Sequence, residues 1–93
     1  MAAAVRCVRK AEVAWSGTAD RVAVLDLDHL DRPPVVLEGS SVVIWELLAE
    51  PLDEEALVDG VATVYRVEPA EVAGPVREFL RQMRELTLVV EVA

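Results

Sequence analysis

Cysteine and histidine occur once each in this chain of 93 residues, as Cys7 and His29. A metal centre needs several clustered thiolate, imidazole or carboxylate ligands. Nucleophilic catalysis needs an activated Ser or Cys with a base beside it. One isolated residue of each kind supplies neither, and a lone Cys7 cannot close an internal disulfide, which agrees with a reducing compartment. Aromatics are equally sparse, with two Trp, one Tyr and one Phe, so a hydrophobic fraction of 54% implies an aliphatic core of Val and Leu. Basic residues are in the minority, 9 against 17 acidic, and the net charge of −8 opposes approach to phosphate backbones and anionic membrane surfaces. No apolar run approaches the ~20 residues that span a bilayer, and MAAAVRCVRK is no secretory signal. The expectation is one soluble, cytoplasmic domain over residues 1–93, with no cofactor, no metal and no catalytic activity.

The order of local patterns is β-rich first and helical second. Residues 11–15 alternate weakly, Ser16-Gly17 and Thr18-Ala19-Asp20 supply turn chemistry, and 22–27 is a β-branched and aliphatic run, together a hairpin. Asp26 and Asp28 stand two apart on one face of that run and read as a solvated strand end; His29 reads as an exposed loop residue. Pro33-Pro34 then precede a short third strand, 35–37. Proline lacks the N–H that a central strand donates, so this strand belongs at a sheet edge. Gly39 breaks the chain, and either Ser40 or Ser41 suits the cap of a helix over 42–48, with Ile44, Trp45 and Leu48 on one stripe. Asp53 suits the cap of a second helix, with Glu54 and Glu55 at its positive end and Leu57, Val61, Val64 and Tyr65 on its apolar face. Val72, Val76, Phe79, Leu80, Met83 and Leu86 recur at threes and fours in a third helix, with Pro69 in its first turn. Pro75 removes a hydrogen bond and meets the carbonyl of Glu71, so either the helix starts near Gly74-Pro75 or it is kinked there. The tail 88–92 is β-like again and can pack back on the sheet. A three-stranded antiparallel sheet followed by three helices is an α+β, winged helix-turn-helix-like arrangement.

Without catalytic groups, the chemistry on offer is binding. An edge strand leaves backbone N–H and C=O groups unpaired. Val35, Val36, Leu37 and Glu38 as one wall and Val72, Val76, Phe79, Leu80 and Met83 as the other would form a groove for an extended peptide entering as an added strand. Arg77, Arg81 and Arg84 as a rim would favour an acidic peptide. The alternative for the stripe is plain core, and for the arginines a balance against Glu78 and Glu85 along the helix.

VVLEGSSVVIWELLAEPLDEEALVDGVATVYRVEPAEV followed by VREFLRQMREL resembles the PqqD-like family, whose members and fused relatives are called RiPP recognition elements. The resemblance rests on the short strand 35–37, the break at Gly39–Ser41, the Ile44-Trp45 pair, the acidic-capped second helix ending in Tyr65, the acidic and proline-containing start at 68–71, and the Phe79-Leu80 pair. With RVAVLDLD included it covers the chain from about Val22 onward. It implies a non-catalytic, winged-helix-like unit that binds the leader of a ribosomally made precursor peptide as an extra strand on the third strand, against the third helix. DHLDRPPVVLEGS in so small a chain looks most like the discrete leader-binding proteins of lasso-peptide pathways, which work with a leader peptidase and a macrocyclase. The same architecture serves a peptide chaperone for a radical enzyme in quinone-cofactor biosynthesis. A winged-helix DNA-binding regulator is the rival of another class. Gly74-Pro75 and the long β-like tail depart from the family pattern.

Overall fold

The computed structural model describes residues 5–92. In chain order they form β1 (Arg6–Arg9), β2 (Val13–Gly17), β3 (Arg21–Asp26), β4 (Val35–Glu38), α1 (Ser40–Leu47), β5 (Leu52–Asp53), α2 (Glu54–Tyr65), α3 (Pro69–Glu85) and β6 (Val89–Val92). The class is α+β, as the sequence patterns predict. The strands divide between two antiparallel sheets, β2-β3-β4 and β5-β1-β6, where the sequence patterns show only the first. β5 is too short for alternation to reveal, the apolar residues of β1 do not alternate, and the β-like tail pairs with β1 instead of joining β2-β3-β4.

The β2–β3 hairpin turns at Gly17, where a Cβ would stand 2.1 Å from the Arg21 carbonyl oxygen; only glycine fits so close a backbone approach. Period-2 alternation then buries Val22, Val24 and Asp26 of β3 and Leu37 of β4, and turns Arg21, Ala23, Val36 and Glu38 outward. β4 ends at Gly39, whose φ of 61° lies in the left-handed region. Gly39 is itself the N-cap of α1 and no side chain caps that helix, so neither Ser40 nor Ser41 has the capping role their sequence position suggests. The Asp53 cap holds: its carboxylate accepts the Ala56 N–H at 2.7 Å. α3 begins at Pro69 and continues as one helix through Pro75 to Glu85, which settles the choice of start; Pro75 interrupts its hydrogen-bond ladder but not its course. Its first turn is held by the Glu71 carboxylate, which accepts the Glu68 N–H at 3.0 Å.

Trp45, Ile44, Leu48, Leu57, Val61 and Val76 are fully buried where the three helices meet, with Val24 and Leu88 closing the core from the two sheets. Each buried aliphatic of this size contributes ~1.5–3 kcal/mol relative to exposure. Arg9 lies between two indoles, 5.3 Å from the ring centre of Trp15 and 5.1 Å from that of Trp45, and burial pushes its pKa down. Among the described residues no helix is long and apolar enough to cross a membrane.

Candidate functional site

Among the described residues β4 pairs with β3 on one side only, through Arg21–Glu38, Val22–Leu37, Ala23–Val36 and Val24–Val35. Two hydrogen bonds fix which backbone groups face outward. The Arg21 carbonyl accepts from Thr18 N–H at 2.8 Å and so points toward β2, while Gly39 N–H donates to the Asp20 carbonyl at 3.2 Å. Bonding direction alternates along an antiparallel ladder. Val22–Leu37 and Val24–Val35 are therefore the bonded pairs, and the N–H and C=O of Val36 and Glu38 point away from β3. Pro34 is the next residue in the outward series, and it has no N–H. The prolines set where outward pairing can start.

The start of β4 lies near the end of α3 and the residue after Gly39 near its start, so the two elements run in opposite directions. A cleft lined by Arg32, Pro33, Pro34, Val35, Leu86 and Leu88 joins the start of β4 to the end of α3. At the other end, a concavity of about 450 Å³ is lined by Ser40 and Ile44 of α1, Val61, Tyr65 and Val67 around the end of α2, and Glu71, Val72, Pro75 and Val76 of α3. From Pro34 to Ser40 a strand covers ~20 Å, and from Glu71 to Leu86 a helix covers ~22 Å. The lengths match, so an extended segment of about six residues is long enough to reach from one hollow to the other.

The residues predicted from sequence divide into three groups. Val36 and Glu38 stand exposed on the open strand; Val35 and Leu37 alternate inward, Val35 half-buried and Leu37 buried. Val72 is half-buried and lines the concavity, with the buried Val76 beneath it. Phe79, Leu80 and Met83, only 2–6% exposed, are core side chains, the alternative left open by their periodicity. The basic rim requires correction. At ~100° per residue Arg77 and Arg84 lie on the side of α3 away from Pro75 and Leu86, and their partners confirm it. Arg77 Nε donates to Glu54 of α2 at 3.2 Å, and Arg84 donates to the Cys7 thiol of β1 at 3.0 Å and lies 3.4 Å from Glu91 of β6. Arg81 donates to Glu85 at 2.8 Å and to Glu78, balancing charge along the helix. By the same count Glu71, Glu78 and Gln82 fall on the flank of Pro75 and Leu86, and of these Glu71 lines the concavity. A helical stripe shows which face is buried but not which flank meets which strand, so the charge of the rim was not legible.

The largest omission from the sequence reading is the concavity. Periodicity places Ile44 and Tyr65 on apolar stripes, but Tyr65 remains 45% exposed at the mouth, beside the half-open Val67. Asp26, expected to be solvated, is buried: its carboxylate accepts from Lys10 Nζ at 2.7 Å and Asp28 N–H at 3.0 Å, and lies 2.9 Å from His29 Nδ1. These bonds, Lys10 first, hold its pKa far below the usual carboxylate range. The cluster ties β1 to the loop that delivers β4. Among the described residues no group of His, Cys, Asp and Glu could hold a metal ion.

The chain resembles a solved structure titled "TbiB1 in Complex with the TbiA(beta) Leader Peptide", with a TM-score of 0.75 and 27% identity over 92% of this chain and 98% of that one. No curated protein matches it. The family model described as coenzyme PQQ synthesis protein D (PqqD) matches residues 24–89, which take in the second half of β3, β4, all three helices and both ends of the cleft. The chain belongs to the PqqD family.

Proposed function

We propose that this protein binds the leader segment of a ribosomally synthesised precursor peptide as an added strand on β4, and does no chemistry of its own. The observation that carries this reading is the outward N–H and C=O of Val36 and Glu38, with an apolar hollow against the end of α3 just before them and another against its start just after them. Strand addition draws affinity from main-chain hydrogen bonds and specificity from alternate side chains. The similar protein solved with a leader peptide supports the same ligand class here. In the lasso-peptide form of this reading, the bound leader presents its core to a leader peptidase and a macrocyclase. Holding it raises the effective concentration of the core at an enzyme on the same assembly. The description of the family favours a second reading, in which the presented peptide is the precursor of a quinone cofactor and the enzyme a radical one. The docking edge is the same in both.

A proline at position 36 tests the edge. The Val36 N–H faces away from β3, so Val36→Pro leaves the β3–β4 ladder its bonds while removing an outward donor and filling the edge with a ring. Leader affinity, measured by titrating labelled leader peptides of neighbouring precursor genes, should fall about tenfold or more, with circular dichroism near wild type. Unchanged affinity in a folded Val36→Pro variant would exclude β4 as the docking edge.

A further inference from the structure

The Gly74-Pro75 interruption of α3 is not forced by a close approach: among the described residues no atom beyond the surrounding turns of its own helix lies within 4 Å of a Cβ added at Gly74, and Pro75 is exposed. Its chemical consequence falls on Glu71. Proline supplies no N–H to the carbonyl four residues earlier, so the Glu71 carbonyl lacks its helical donor just where Glu71 and Pro75 line the concavity. The Glu71 carboxylate is at the same place, with one oxygen engaged by the Glu68 N–H at 3.0 Å and the other unengaged by it. No basic side chain lines this concavity. The nearest arginines of α3 are committed elsewhere, Arg77 to Glu54 and Arg81 to Glu78 and Glu85. The walls are Ile44, Val61, Tyr65, Val67, Val72 and Val76, and the whole chain carries a charge of −8.

We infer that this end of the cleft selects a bulky apolar side chain accompanied by a lysine or arginine, the apolar group seated between Ile44, Tyr65 and Val72 and the cation at the Glu71 carboxylate and carbonyl. Side chains two apart share a face of an added strand, so the cation stands two residues from the anchor. The inference rests on the proposed docking along β4 and adds to it the charge class of the ligand. It reverses the acidic preference that a basic rim would have given. The carboxylate attracts the cation, and the field of the molecule raises the local concentration of a basic peptide over an acidic one.

The test is a displayed library of random 15-residue peptides selected on the intact protein, with winners resynthesised and titrated against wild type and Glu71→Gln. Glutamine keeps an acceptor for the Glu68 N–H and removes the charge, and circular dichroism checks the helix. Amide spectra of the bound protein locate each peptide. The expected winners perturb Val36 and Glu38 and share a bulky apolar residue with Lys or Arg two positions away. Glu71→Gln should weaken them about 1.5- to 5-fold, and that loss should vanish when the basic residue is replaced by Gln. Peptides that dock on β4 with no basic preference, or with equal affinity for Glu71→Gln, would overturn this inference and leave the docking edge standing. Winners that leave Val36 and Glu38 unperturbed would overturn both.

Discussion

Asp26 illustrates at the scale of one residue how a charge is kept in a small core. Its carboxylate is 6% exposed and is satisfied by the Lys10 ammonium, the Asp28 N–H and His29. The folded pKa lies below the ~3.9 of an unfolded aspartate, so the stability it brings is present above that value and drains as pH falls toward the folded one. Asp26→Asn removes the charge and keeps an acceptor. It should therefore lower Tm at pH 7 by several degrees and flatten the fall in Tm between pH 4 and pH 2, followed by circular dichroism at fixed pH values. An equally steep acid fall in the variant would show that Asp26 is not the group responsible. The inward position of this residue was written in the alternation Val22, Val24, Asp26. Its partner was not, because Lys10 lies 16 positions earlier and reaches it only through the packing of β1 against the loop after β3.

At the scale of the element, β4 and α3 carry the site, and each was only half legible. The two prolines and the Gly39 break defined the strand and its edge character. The outward direction of the Val36 and Glu38 backbones needed the ladder itself, since alternation in sequence fixes side-chain faces but not which bonds meet β3. In α3 the apolar period located the buried stripe. Which flank meets β4 depends on how α2 and the second sheet dock, and that sent Arg77 and Arg84 to the far side. β5 escaped notice because two residues leave no period, and β1 because its apolar Cys7 and Val8 are adjacent between two arginines and do not alternate. The interruption within α3 should cost stability. Gly74→Ala fills open space in a helix interior and should add ~0.5–1 kcal/mol. Pro75→Ala restores a donor to the Glu71 carbonyl and should add up to ~3 kcal/mol. Urea midpoints measure both, and a midpoint that drops for either variant would show that the interruption is a requirement of the fold.

For the whole molecule, the decisive quantity is the distribution of charge. A charge of −8 with its helix arginines tied into ion pairs leaves no basic face on α3 for a nucleic acid backbone, although helices packed beside a small sheet could carry one. The protein should cause no mobility shift of duplex DNA at ~0.1 M salt, and a salt-dependent shift there would contradict the peptide reading. The concavity that follows β4 is apolar apart from Ser40, Tyr65 and Glu71, so the charge at its wall is negative like that of the whole chain.

The most direct test is amide hydrogen exchange at Val36 and Glu38 as a leader peptide is added. These two N–H groups face away from β3 in the free protein and should exchange quickly. Docking by strand addition should slow both, in step with the binding curve, and leave Val35 and Leu37 protected as before. Saturation with a bound leader while Val36 and Glu38 exchange unchanged would place the peptide on another surface and contradict the assignment of β4 as the docking strand.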